Sequence, residues 1–198
     1  MLTSYNYDQI FVNALNTVLA DYSSGKIQFH SEHDFLCNVF SECQKLMQIR
    51  GFPVPLKIYA QKSVPSCHSK QTKVDMVLGD DEVLVEFKTE PDYPGVNKPV
   101  VFYAKKHAQT KNKDGKIIEG SSIEGDIEKI MKYCAKGKCA HFVMVDEDGM
   151  HSKKDSSFLP KSEWKQTGKQ NKKGMEIKYI HIYCDGAKQE CKTLMKTE

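Results

Sequence analysis

The chain has 198 residues, enough for one domain of ordinary size with a substantial core. Hydrophobic residues make up 39% and charged residues 28%, which excludes a disordered chain, and no apolar run approaches the length of a membrane span. The formal net charge of +3 is too mild to imply a partner by itself, and the opening MLTSYNYDQI lacks a basic-then-apolar signal, so a cytoplasmic protein without membrane contact is expected.

In chain order, Phe11, Leu15, Val18 and Tyr22 recur at three- and four-residue spacing and predict an amphipathic helix over about 7–22, broken by SSGK. Ser31 is a good N-cap for a second helix to about Arg50, with Glu32 and Asp34 in its first turn. Its apolar stripe is Phe35, Leu36, Val39, Cys43, Leu46 and Met47. Glu32 falls on that stripe, and Glu42 to one side of it. An acid on the core-facing line needs a partner, although at a helix start it also complements the dipole. GFP at 51–53 stops the helix, PLKIYAQ alternates as a strand, and SVPSCHSKQ is expected to be a loop.

The segment from Lys73 to Lys88, KVDMVLGDDEVLVEFK, follows. Two apolar runs joined by GDDE predict a β-hairpin. Alternation puts Val83, Val85 and Phe87 on one face and Leu84, Glu86 and Lys88 on the other. Closing the hairpin would bring the carboxylates of Asp75 and Glu86 together, with the Lys88 ammonium two residues beyond Glu86. Two close carboxylates repel unless a positive charge sits between them, and a hard divalent cation is the usual solution. A salt-bridged surface hairpin is the simpler alternative.

TEPDYPG ends the second strand, and the stretch 97–120 shows no clear pattern apart from an exposed KNKDGK loop. Ser121 or Ser122 opens a third helix that stops at Gly137, and AHFVMVDEDG reads as a strand. A lysine-rich tail, a strand EIKYIHIYC and a last short helix complete the chain, without repeats or an interdomain linker. The seven cysteines, an odd set, are expected to be reduced thiols, with Cys37 and Cys43 as small core residues on the second helix. The spacing of Cys134 and Cys139, near His141, and of Cys184 and Cys191 is unlike that of tight zinc knuckles.

Charge is distributed unevenly. From Lys98 to Ile118 six lysines accompany one acid, and from Lys153 to Lys178 eight accompany three, while Asp80, Asp81, Glu82, Glu86, Glu90 and Asp92 crowd the hairpin. An acidic site flanked by basic segments suits a phosphodiester substrate. With Arg50 the only arginine, contact with the phosphate backbone is expected rather than bidentate reading of guanine.

The pattern Asp75, Glu86-x-Lys88 resembles the PD-(D/E)xK nucleases, the restriction-endonuclease-like superfamily, with Val74 standing where the family name has proline. The resemblance implies an αβββαβ core over about 31–146, a mixed central sheet flanked by helices, within a single nuclease domain of residues 1–198 that also carries the N-terminal helix and a basic C-terminal extension. It implies Mg²⁺, with Mn²⁺ as a substitute, held by Asp75, Glu86 and the backbone carbonyl of Phe87. Lys88 would position water, and Glu32, the helix-borne acid of the site, would hold a second metal ion or its water shell, with Glu42 as the alternative acid. Lys105, Lys106, Lys111 and Lys129 are the candidate nucleic-acid contacts, Lys129 also having a solvent-facing alternative. DNA is the expected substrate ahead of RNA, cleaved as an endonuclease would, with a homodimer as one assembly. The contrasting expectation is a non-catalytic nucleic-acid-binding or structural subunit of the same fold.

Overall fold

A computed structural model of the protein describes residues 4–65, 71–90, 109–111, 117–119, 123–149, 151–153, 159–188 and 190–193. The helical periodicity of the first third is realised as α1 (Ser4–Ser23) and α2 (Glu32–Ile49). Phe11, Leu15, Val18 and Tyr22 are buried, as are Phe35, Leu36, Val39, Cys43 and Met47, with Leu46 at the margin. Ser31 caps α2: its backbone is extended, and its Oγ accepts a hydrogen bond from Asp34 N at 3.1 Å, a contact worth about 1 kcal/mol. Cys37 departs from expectation, being exposed with its Sγ 3.4 Å from His33 Nε2. Six residues advance a helix by about 600°, so Cys37 and Cys43 lie roughly 120° apart and cannot share a face.

The strands follow as β1 (Ile58–Pro65), β2 (Gln71–Leu78), β3 (Val83–Glu90), and a small separate pair, β4 (Gln109–Lys111) and β5 (Ile117–Glu119). Then come α3 (Ile123–Cys134), β6 (Cys139–Asp146), β7 (Lys165–Gln170), β8 (Glu176–Asp185) and β9 (Glu190–Thr193). The main sheet runs β1-β2-β3-β6-β8-β7, with β9 also paired to β8. β3 and β6 are parallel and every other pair is antiparallel, so the chain needs the crossover that contains α3. From α2 onward, leaving aside the β4–β5 pair, the order is helix, three strands, helix, strand.

Three assignments in the sequence change. Of SVPSCHSKQ, expected as a loop, Ser63–Pro65 belong to β1 and Gln71 to β2, with Val64 opposite Thr72, while residues 66–70 lie outside the described residues. The lysine-rich tail contains β7. Glu190–Thr193, in the tail where a last short helix was expected, form β9 on the edge of β8, with residues 194–198 outside the described residues. Cys184, whose Cα faces that of Cys191 across β8 and β9, is disulfide-bonded, against the expectation of reduced thiols throughout.

Two apolar layers hold the sheet. One packs α1 and α2 against Met76, Leu78, Val83, Val85, Phe87, Val143 and Val145. The other packs α3 against Val77, Leu84, Ala140, Phe142, Met144, Ile180 and Ile182. All eight residues of β6 are buried, as a strand covered on both faces requires. The β1–β2 ribbon belongs to both layers. Ile58, Met76 and Leu78 face the α1–α2 side, whereas Val64 and Val74 join the α3 side. Strict alternation would keep Val74 and Met76 on one face, so the ribbon crosses over between them. The crossing falls where Gln61 adopts left-handed backbone (φ 52°) and the Gln61–Asp75 pair is missing from an otherwise continuous ladder. No helix among the described residues is long and apolar enough to cross a membrane.

A polar chain is buried in the α1–α2 layer. Asp8 Oδ1 lies 2.8 Å from His141 Nε2, and His141 Nδ1 lies 2.9 Å from His181 Nε2, with the Phe11 and Tyr183 rings against His141. A carboxylate can only accept, so Nε2 of His141 donates to Asp8, and Nδ1 of a neutral ring accepts from His181. Burial, then His141 and Lys165, hold the His181 pKa well below the usual histidine value of 6.5. In the window between the depressed folded value and about 6.5, the unfolded chain binds a proton that the folded chain refuses. Stability is therefore complete above that window and falls as pH drops through it. Urea unfolding across this range should show the loss, and His181→Gln should flatten it. A wild-type profile with no slope there would contradict the assignment.

Candidate active site

The β2–β3 hairpin sets Met76 opposite Val85 and Leu78 opposite Val83, around a turn with left-handed backbone at Gly79 (φ 69°) and Asp81 (φ 60°). Continuing the register puts Asp75 opposite Glu86. There the ladder gives way to a side chain: Asp75 Oδ2 accepts from Phe87 N at 2.9 Å, and Oδ1 accepts from Gln61 Nε2 at 2.9 Å. Asp75 thereby ties β1, β2 and β3 together.

Glu86 and Lys88 point to the face covered by α3 and are almost fully buried, at 2% and 5% exposure. Ile123, Ile127 and Ile130 press α3 onto the sheet, which carries Asp126 (2% exposed) and Lys129 against this end of β3. The Lys88 ammonium lies 3.1 Å from Asp126 Oδ2, 3.2 Å from Glu32 Oε2 and 3.1 Å from the Phe87 carbonyl oxygen. Lys129 Nζ lies 2.7 Å from Glu86 Oε1 and 3.0 Å from Asp126 Oδ1. Asp126 thus sits between two lysines, although its Oδ2 meets Lys88 off the axis of a hydrogen bond.

Glu32, Asp75, Glu86 and Asp126 supply four carboxylates to two ammonium groups, leaving two negative charges uncompensated when all are ionised. Burial governs the titration of the acids, and that surplus adds to it. Burial raises Glu86 well above the carboxylate range; Lys129 opposes this, and Asp75 and Asp126 add to it. Burial likewise raises Glu32, with Lys88 opposing and Asp75 adding. For Lys88 burial disfavours the charge, but Asp126, Glu32 and Asp75 outweigh it and raise the pKa. Lys129 is raised in the same way by Glu86 and Asp126.

The donor chemistry fits a hard divalent cation: the acids offer only oxygen, and the surplus charge matches a single such ion. Among the described residues, however, no three His, Cys, Asp or Glu side chains converge as a ready ligand set. An ion held between Asp75 and Glu86 would compete with Lys129 for the Glu86 carboxylate. The Phe87 carbonyl is at present an acceptor for Lys88.

Glu32, the first residue of α2, joins the cluster through Lys88 while keeping 39% of its side chain exposed. Glu42 instead pairs with Lys45 at 3.2 Å. Lys129 is turned inward to the acids rather than to solvent. Lys105 and Lys106 lie outside the described residues, and Lys111 is the last residue of β4, paired with Ile117. Cys134 and Cys139 stand apart from this cluster: Cys134 donates to the Asp185 carbonyl, and Cys139 faces the Tyr183 hydroxyl at 3.8 Å. Asp126 and Gln61 were not anticipated as members. The signal for Asp126 was an acid between Ile123, Ile127 and Ile130 on the inward stripe of its helix; Gln61 carried none.

No protein-family model matches the chain, and no curated protein or solved structure matches it.

Proposed function

We propose that the protein is a Mg²⁺-dependent nuclease of the PD-(D/E)xK kind, able to use Mn²⁺ instead, that hydrolyses phosphodiester bonds within DNA. The α2–β1–β2–β3–α3–β6 segment would be its restriction-endonuclease-like core. One observation carries this reading: Asp75, Glu86 and Lys88 gather at one place on adjacent strands, in a cluster with more acid than base. Asp75, Glu86 and the Phe87 carbonyl are the groups that would hold the cation. When bound, that ion would neutralise phosphate charge and lower the pKa of a water molecule. Lys88, buried and kept protonated by its neighbours, would orient the attacking water and stabilise charge developing on the phosphate. Asp126 would fix the direction of the Lys88 ammonium, and Asp75 would fix the backbone of Phe87.

A second reading has its own observation. The ion pair from Lys129 to Glu86 already neutralises the acid a cation would need, as in a site retained only for structure in a nucleic-acid-binding subunit. Mg²⁺ titration by calorimetry, paired with digestion of linear duplex, supercoiled plasmid, branched DNA, single strands and RNA, separates the two. Cation binding with Mg²⁺-dependent DNA cleavage is expected. Nucleic-acid binding without cleavage under Mg²⁺ or Mn²⁺ would favour the subunit, and cleavage of RNA alone would move the substrate.

A further inference from the structure

The second lysine-rich stretch has no role in the cluster just described, yet part of it walls a cavity of about 240 Å³. The wall includes Tyr22, His30, Glu147, Lys169, Asn171 and Lys172. Whole small-molecule ligands commonly occupy about 300–1,000 Å³, so this space suits one group of a larger ligand. Its charge selects an anion. Two lysines and a histidine line it against one acid, Glu147, and one oxygen of that acid accepts from the Tyr22 hydroxyl. Lys173, the neighbour in sequence, is held by Asp148. Lys169 is fixed at the wall, its Nζ 4.0 Å from the centre of the Tyr22 ring, which is itself stacked on Phe29.

The position is informative as well. Glu147 directly follows β6, whose last residue, Asp146, pairs with Glu90 of the parallel β3. His30 precedes the N-cap of α2 and stands two residues before Glu32. The cavity therefore lies at the carboxyl end of the parallel pair, on the α1–α2 side of the sheet, while Lys88 lies at the same end on the α3 side. Parallel strands commonly present ligand sites at that end. We propose that this cavity binds a phosphate group of a DNA strand whose neighbouring segment reaches the Asp75–Glu86–Lys88 cluster. This rests on the reading of DNA as substrate, and it gives the lysine-rich strand β7 and the turn after it a defined task.

The test is equilibrium binding of a fluorescein-labelled DNA duplex in EDTA, read by anisotropy over a salt series, on the full chain. Lys169→Ala/Lys172→Ala is compared with wild type and with Lys45→Ala, which removes an exposed lysine on α2. Each phosphate contact on B-DNA contributes about 0.9 to the slope of log affinity against log salt. The double variant is expected to lower the slope by about one and to weaken binding, with Lys45→Ala unchanged. Lys172→Ala alone, on the exposed turn after β7, should weaken binding in the same direction and guards against misfolding of the double variant. Unchanged slope and affinity in folded variants overturn the proposal, as does a wild-type chain that binds no DNA. If the variants shift binding but wild type cleaves nothing in Mg²⁺, the nuclease reading fails and the phosphate site stands.

Discussion

Replacing Asp75, Glu86 or Lys88 singly by alanine is expected to reduce Mg²⁺-dependent cleavage by at least about 100-fold, the scale of losing one preorganised electrostatic contact at a reacting phosphate. The three variants should differ in how they fail. Asp75→Ala and Glu86→Ala should also lose cation binding by calorimetry. Lys88→Ala should keep it, because the lysine is not a ligand in the proposed site. Asp75→Ala should in addition melt earlier, since it strands the Phe87 amide, at a cost of about 1–3 kcal/mol for a buried donor left unpaired, whereas the exposed Gln61 amide can turn to water. A folded variant of any of the three that cleaves at near the wild-type rate would remove that residue from the mechanism, and with it the nuclease reading of the cluster.

The largest effect on stability is expected at Phe87. Its ring is fully buried, edge-on to Phe35 with centroids 5.0 Å apart and to Phe11 at 6.3 Å, so it joins both helices to the central strand. Phe87→Ala removes that contact and leaves a cavity under two helices, at a cost of about 3–5 kcal/mol. Denaturant unfolding should show the loss as a lower midpoint at nearly constant slope. A cost below about 1 kcal/mol would mean that the α1–α2 layer closes over the gap, and that the packing described for this face is not tight. Because Phe87 stands between Glu86 and Lys88, Phe87→Leu is the better probe of whether site geometry depends on this ring.

The parts of the fold that were legible in the sequence are those specified locally. The hairpin of Asp75, Glu86 and Lys88 could be read because period-two alternation and a glycine–aspartate turn specify both strands and their register within sixteen residues. The α2 boundaries followed from Ser31 and Gly51, residues whose chemistry acts within one turn. What escaped depended on distant partners. β7 has only Thr167 buried and no apolar alternation; it is a strand because β8 offers an open edge. Asp126 enters the site only because α3 packs across β3, some forty residues after Glu86 in the chain. Lys129 was expected as a phosphate contact or a solvent-facing lysine, because nothing near it in sequence reveals the Glu86 carboxylate that draws it inward.

The crossing of the β1–β2 ribbon at Gln61 and Asp75 bears on how the cluster responds to a ligand. A loop-borne carboxylate must be immobilised when it binds, and that loss of freedom subtracts from affinity. Asp75 is held instead by a strand on either side of it, with both oxygens already directed. The strained backbone at Gln61, worth on the order of 1 kcal/mol, is set during folding rather than at each binding event. If the cluster takes a cation as proposed, little reorganisation would be left for the acid, and the adjustable element would be the flexible side chain of Lys129 on its helix.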